Sequence, residues 1–244
     1  MKEMPKVSII VLAFDSLHAL ERTLETLSAN TIYPNFEIVV SVNPCEDKEI
    51  NNSISLFLSD FKDKFPIKTI YNKTNLFHAK GTMEGFKISD GEFICFCNDD
   101  IFIPASQSEW LTHLMDFMLE NENVATLTPS MYSAKERIYW VGKTNPEKSY
   151  HDFLHIPKGD PSIPVKPLGT CYNNMACCLT RRYLVEEIPL GQSCRHYGSD
   201  SEFGNRIKEK YPNMKHMVLP SVRVYHFNIF ATRTNYGKEK EIDG

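Results

Sequence analysis

The chain has 244 residues, 42% of them hydrophobic and 24% charged, with a net charge of −4. That is the composition of an ordinary globular protein with room for one sizeable α/β core. Its acidic balance argues against broad nucleic-acid binding, which needs a basic surface to displace phosphate counterions. No segment approaches the roughly 20 apolar residues that span a bilayer. The longest run, residues 7–14, contains Ser8 and lacks secretory-signal flanks. The expectation is a cytoplasmic protein with no nucleic-acid partner and no transmembrane segment, with peripheral membrane association left open.

Seven cysteines are present without a CxxC pair, so a structural zinc site is not expected. Cys95 and Cys97 lie at strand spacing in an apolar run and read as small buried hydrophobes in a reducing compartment.

In chain order, Val7-Ser8-Ile9-Ile10-Val11-Leu12-Ala13 is short, β-branched and almost wholly apolar, as expected of a strand buried on both faces. Asp15 or Ser16 can cap the helix that follows, in which Leu17, Leu20, Leu24 and Leu27 recur at helical spacing. Strands are predicted at residues 37–42, 67–71 and 92–97, with helices at 47–61 and 78–89 between them. This strand–helix alternation implies right-handed crossovers and a largely parallel sheet. After Asn98 the order is less regular, with a helix predicted at 106–120 and a strand at 124–128. Residues 132–168 form a long Pro- and aromatic-rich stretch holding Trp140, Tyr150, His151, Phe153 and His155. Its aromatic content favours a functional segment.

Ligands of open α/β sheets bind outside the carboxyl ends of the strands. The polar residues there are Ala13-Phe14-Asp15, Asn43 and Asn98-Asp99-Asp100. Two adjacent carboxylates after a buried strand repel, and a cation such as Mg²⁺ or Mn²⁺ relieves that repulsion. The alternative is a cap for the helix near Ser106. Downstream, Asp200 stands at the start of a helical pattern carrying Phe203, Ile207 and Tyr211, as a cap or as a base. His226 closes the alternating strand Val222-Arg223-Val224-Tyr225-His226, as a structural residue or as a ligand.

Together these pieces closely resemble the large inverting glycosyltransferase family with a GT-A fold, family 2, over residues 7–226. The resemblance is carried by the opening strand and helix, Glu37-Ile38-Val39-Val40, the segment from Asn75 through Gly85 to Gly91-Glu92-Phe93-Ile94, and Asn98-Asp99-Asp100 in the place of the family's DXD motif. It continues through Asn174-Met175-Ala176-Cys177-Cys178-Leu179-Thr180-Arg181-Arg182 and Ser199-Asp200-Ser201-Glu202-Phe203. It implies a single GT-A domain, a Rossmann-like, mostly parallel central sheet flanked by helices. The domain would span residues 1–230, with a nucleotide-sugar half at 1–100, an acceptor and base half at 101–230, and a polar tail at 231–244. By the same resemblance the partners are a nucleoside-diphosphate sugar and a glycan acceptor, and the cofactor is Mn²⁺ or Mg²⁺. Asp100 and His226 would ligate the metal, and Asp99 would lie by the ribose or metal. Asn98 would shape the turn, and Asp200 would be the general base.

Two departures bear on specificity. Val42, then Asn43 and Pro44, occupy the place of an Asp that commonly reads the nucleobase, and Ser199 stands where the base motif usually has Glu. Phe77 also replaces a common Gly, and Lys80 or Thr82 could reach the diphosphate or base, Lys80 equally reading as a solvated helix-face lysine. Trp140 and Ser199 are candidate acceptor contacts, Trp140 equally reading as a core residue. A sugar nucleotidyltransferase, whose sheet is similar, usually carries a Gly-rich loop with Arg and Lys after strand one, and Ala13-Phe14-Asp15-Ser16 lacks it. A non-catalytic nucleotide-sugar-binding module would be favoured by loss of Asp100 or Asp200, and both are present.

Overall fold

A computed structural model describes residues 4–142, 157–194 and 198–227. Four parallel strands open the chain: β1 (Val7–Ala13), β2 (Phe36–Val42), β3 (Ile67–Tyr71) and β4 (Phe93–Asn98). Helices α1 (Leu17–Ala29), α2 (Lys48–Lys64) and α3 (Phe77–Ile88) connect them. Ser16, not Asp15, caps α1 by accepting from the Ala19 amide, and Asp47 caps α2 in the same way, each satisfying a donor that the first helical turn leaves open.

Alternation along β1 explains its continuous apolar run. Val7, Ile9, Val11 and Ala13 enter one core beneath α1 and α2, whereas Ile10 enters a second core with Val39, Ile94 and Phe96. The second face is covered by α3 at very close range. A Cβ on Gly85 would stand 2.7 Å from Ile10 and one on Gly81 2.7 Å from Leu12, so only glycine allows the helix to lie this near the strands.

The second half is the less regular part. A two-residue strand, β5 (Ile101–Phe102), precedes a short 3-10 turn at Ala105–Gln107 and α4 (Trp110–Glu120). The predicted helix at 106–120 is therefore split. Asn98-Asp99-Asp100 is separated from α4 by β5 and the turn, and caps no helix. Then follow β6 (Val124–Tyr132), β7 (Ile138–Trp140), β8 (Leu168–Thr170), β9 (Cys177–Arg181), α5 (Arg182–Glu187), α6 (Ser199–Lys210) and β10 (Lys215–His226). The described strands form one sheet in the order β3-β2-β1-β4-β9-β6-β10-β5, with β7 on β6 and β8 on β10. β9 runs antiparallel to both β4 and β6, and β10 lies parallel to β6.

β10 carries a register shift between Leu219 and Arg223. Ser130 Oγ holds the displaced segment by donating to the carbonyls of Pro220 and Val222. Bulges of this kind re-aim the residues beyond them, and here those residues end in His226.

A buried chain of hydrogen bonds fixes α6 to the sheet. Trp140 Nε1 donates to Thr128 Oγ1 at 3.3 Å, which donates to Asn173 Oδ1 at 3.2 Å. Asn173 Nδ2 donates to Thr126 Oγ1 at 2.8 Å, which lies 2.7 Å from His216 Nδ1. His216 Nε2 is 3.1 Å from the Gly204 carbonyl on α6. A carbonyl only accepts, so Nε2 carries the proton and Nδ1 accepts from Thr126. Burial pushes the His216 pKa down to about 4 from 6.5. The unfolded chain thus binds this proton more readily, and the stability from the neutral ring is complete above pH 6.5 and declines as pH falls toward 4. The full span is on the order of 3 kcal/mol. Thermal melts should show Tm falling between pH 6.5 and 5, and His216→Asn should flatten that slope while lowering Tm at pH 7. An unchanged slope in the variant would contradict the account.

Candidate active site

The acidic triplet leaves the sheet at the end of β4, where the backbone turns. The Asn98 amide donates to the Ala176 carbonyl, and the Phe227 amide donates to the Asp100 carbonyl at 3.0 Å. With β5 paired antiparallel to the end of β10, His226 opposite Ile101, the triplet and His226 are held together across 128 residues of sequence. His226 Nε2 lies 3.0 Å from Asp100 Oδ1, with both side chains almost wholly buried. Asn98 Nδ2 is 3.4 Å from the same nitrogen. Tyr139 packs its ring 4.2 Å from the imidazole. His226 Nδ1 is buried with no hydrogen-bond partner among the described residues.

Asp99 is also buried, and its Oδ2 accepts from the Phe14 amide at 3.3 Å. One carboxylate oxygen of the triplet therefore ties β4 to the turn after β1. Ala13 is fully buried with its carbonyl accepting from the Asn43 amide, while Phe14 and Asp15 are half-buried at that turn.

Asp200 is the second residue of α6, whose N-cap is Gly198 in the left-handed region, φ 83°. Asp200 is therefore not the cap itself, although its Oδ1 accepts from the Ser201 amide at 2.8 Å. Burial raises its pKa, opposed by the Ser201 hydrogen bond and by His78. His78, on the first turn of α3, was not singled out by sequence. Its Nε2 lies 3.3 Å from Asn98 Oδ1. Desolvation lowers its pKa, with the Asp200 charge acting in the opposite sense. The available signal was positional: a polar side chain in the first turn after a strand's carboxyl end, inside the segment from Asn75 to Gly85.

The loop that delivers His78 is strained. Phe77 has φ 59°, a left-handed value that costs a bulky residue roughly 1–2 kcal/mol. Asn75 Oδ1 accepts from the Phe77 amide, and Asn43 Oδ1 accepts from the Leu76 amide while Asn43 Nδ2 donates to the Phe77 carbonyl. Asn43 also accepts from Asn72.

The other candidate residues differ in their exposure. Asn43 is buried with its amide engaged in bracing this loop, so it is not presented to read a nucleobase edge. Lys80 is solvent-exposed between buried Ala79 and Gly81, on the outer face of α3. Trp140 is fully buried, with its ring 5.9 Å from Tyr172; it is a core residue and offers no face to an acceptor. Ser199 is buried at the start of α6 and likewise presents no acceptor surface. Tyr150, His151, Phe153, His155 and the tail at 231–244 lie outside the described residues.

The chemistry of the Asp100–His226 pair fits a divalent ion. Two donors each about 2.1 Å from one ion and at right angles stand roughly 3 Å apart, as Oδ1 and Nε2 do. A carboxylate oxygen with an imidazole nitrogen favours Mn²⁺ over Mg²⁺. Among the described residues no group of three His, Cys, Asp or Glu could hold an ion, so further ligands would come from phosphate oxygens and water, the usual arrangement for such ions.

Residues 8–189, well over half of the chain, match the family Glycosyl transferase family 2. The O-antigen biosynthesis protein RfbC of Myxococcus xanthus is 23% identical over 238 residues, which is 95% of this chain and 18% of RfbC. The chain thus spans under a fifth of that relative. The structure of GalNAc-T7 with UDP, GalNAc and Mn²⁺ superposes with a TM-score of 0.71 at 13% identity, covering 93% of this chain and 44% of that one. The mannosyltransferase PcManGT from Pyrobaculum calidifontis, in complex with GDP-Man and Mn²⁺, gives 0.67 at 13% identity over 99% of this chain and 61% of its own. S. aureus TarS 1–349 in complex with UDP-GlcNAc gives 0.63 at 20% identity, covering 91% of this chain and 58% of TarS 1–349. These three share the GT-A fold.

The strain at Phe77 is directly measurable. Phe77→Gly and Phe77→Ala both remove the ring, but only Ala keeps a Cβ in the left-handed region. The glycine variant should be the more stable by about 1 kcal/mol in denaturant unfolding, the reverse of the order inside a helix. Equal stability, or alanine the more stable, would show that the backbone at residue 77 is unstrained.

Proposed function

The chain belongs to glycosyl transferase family 2, and we propose that it transfers a sugar from a nucleoside-diphosphate sugar to an acceptor hydroxyl of a glycan, with inversion at the anomeric carbon. The observation that carries this reading is the convergence of Asp100, His226, Asn98, His78 and Asp200 at the carboxyl ends of the strands. The nucleotide sugars in the PcManGT and TarS complexes, the UDP and GalNAc with GalNAc-T7, and the O-antigen role of RfbC support the donor class and a glycan acceptor.

In this reading residues 1–100 form the donor half and residues 101–230 the acceptor and base half. Asp100 and His226 would hold Mn²⁺ or Mg²⁺, which when bound neutralises charge developing on the departing diphosphate. Asp99 supports the nucleotide end through its bond to Phe14. Asp200, with its pKa raised by burial, accepts the proton of the attacking hydroxyl. That hydroxyl attacks from the face opposite the diphosphate, so a single displacement inverts the centre. Among the described residues no helix is long and apolar enough to cross a membrane.

Slow nucleoside-diphosphate release from a panel of nucleotide sugars with Mn²⁺ tests the donor half, and Asp100→Ala should abolish it. Unchanged release would remove Asp100 from the metal site. Asp200→Asn should keep donor affinity and lose transfer by a factor on the order of 10² or more; near-normal transfer would leave Asp200 a structural residue. Because the base must be ionised, kcat/KM should fall on the acid side through a pKa above the ordinary aspartate value. An acid limb at or below pH 4 would contradict that assignment.

A further inference from the structure

We propose that His78 contacts the donor sugar and determines which sugar is accepted, by taking a hydrogen bond from a ring hydroxyl at its Nδ1. This deepens the nucleotide-sugar reading above and rests on it. Asp100, His226, Asn98 and His78 form a continuous row: 3.0 Å from Asp100 Oδ1 to His226 Nε2, 3.4 Å from that nitrogen to Asn98 Nδ2, and 3.3 Å from Asn98 Oδ1 to His78 Nε2. The charge of Asp200, the proposed base, acts on the His78 ring. In a single displacement the anomeric carbon is joined to the diphosphate on one side and met by the base-held hydroxyl on the other. The sugar therefore bridges the two ends of this row, and the side chains between them border it. Those side chains are Asn98 and His78.

The chemistry of the row decides what His78 offers. Asn98 Oδ1 only accepts, so His78 Nε2 carries the proton and donates to it, and the neutral ring keeps an acceptor at Nδ1. Burial favours that neutral form. The placement is also held at a cost, because Phe77, immediately before it, has a left-handed backbone pinned by Asn43 and Asn75. Strain that the surroundings over-determine is found at ligand-contacting positions. An acceptor aimed at one hydroxyl discriminates strongly against an analogue lacking it, since the buried polar atom is then left unpaired.

The test compares wild type, His78→Ala and His78→Gln, with Mn²⁺ present throughout. Calorimetric binding of UDP, GDP and dTDP is measured beside binding and turnover of the corresponding nucleotide sugars, including deoxy-sugar donors. His78→Ala should bind the nucleoside diphosphates as wild type does, yet lose about tenfold or more in kcat/KM for the preferred nucleotide sugar. His78→Gln should recover part of that loss. The donor lacking the contacted hydroxyl should be used equally by wild type and His78→Ala. An equal loss for the diphosphate alone and for its sugar, or no loss, would overturn the proposal and leave the donor reading standing. Failure of wild type to bind any of the three diphosphates would overturn both.

Discussion

The approach of His226 to Asp100 is the contact on which the site depends, and it is made by sheet pairing. The last two residues of β10 pair with β5, and the Phe227 amide closes on the Asp100 carbonyl. A buried carboxylate is costly without a partner, and the far end of the chain returns a histidine to Asp100 at 3.0 Å. The bulge at residues 220–222, clamped by Ser130, sets where that end arrives. Arg22 stacks over Phe227 and Phe102, at 4.8 and 5.6 Å to the ring centroids, and tethers the same corner to α1.

Asp200, the proposed base, is held by a different device. α6 brings Asp200 to the site, and its seat is the directional hydrogen-bond chain running from Trp140 to His216 and the Gly204 carbonyl. Every link has a defined donor and acceptor, which is the condition under which a buried polar network rigidifies a core instead of weakening it. The Asp100–His226 pair and Asp200, the proposed metal ligands and base, therefore sit on separately braced elements, with Asn98 and His78 between them.

What could be read directly from the sequence follows the locality of each contact. β1 through β4 were visible within a few residues because each is a short apolar run bounded by a local cap, and Ser16 and Asp47 act within their own first turns. The Asp100, Asp200 and His226 positions were visible as family motifs in order, but spacing alone left metal ligand or cap open for Asp100, base or cap for Asp200, and ligand or structural residue for His226. β9 was legible only as the small-residue strand of the family pattern at residues 174–182, whereas β5, β7 and β8 were not visible, since they are only two or three residues long and β5 and β8 find their partner β10 far along the chain. The roles of Asn43 and Trp140 were left open in the sequence for one reason. A polar residue at a strand end and an aromatic residue in a loop-rich stretch look like ligand contacts until burial is known, and both prove to be spent on the protein's own structure. His78 escaped because the residues that act on it, Asn98 and Asp200, are connected to it by no local pattern.

The central claim is that Asp100 and His226 act as one metal-holding pair. Mn²⁺ binding in the presence of a nucleoside diphosphate, followed by electron paramagnetic resonance in wild type, Asp100→Asn, His226→Ala and the double variant, tests it most directly. Each single change should remove most of the affinity and the double variant little more, because the two ligands share one ion. Independent, additive losses, or wild-type Mn²⁺ affinity in either single variant, would show that the 3.0 Å contact is only structural.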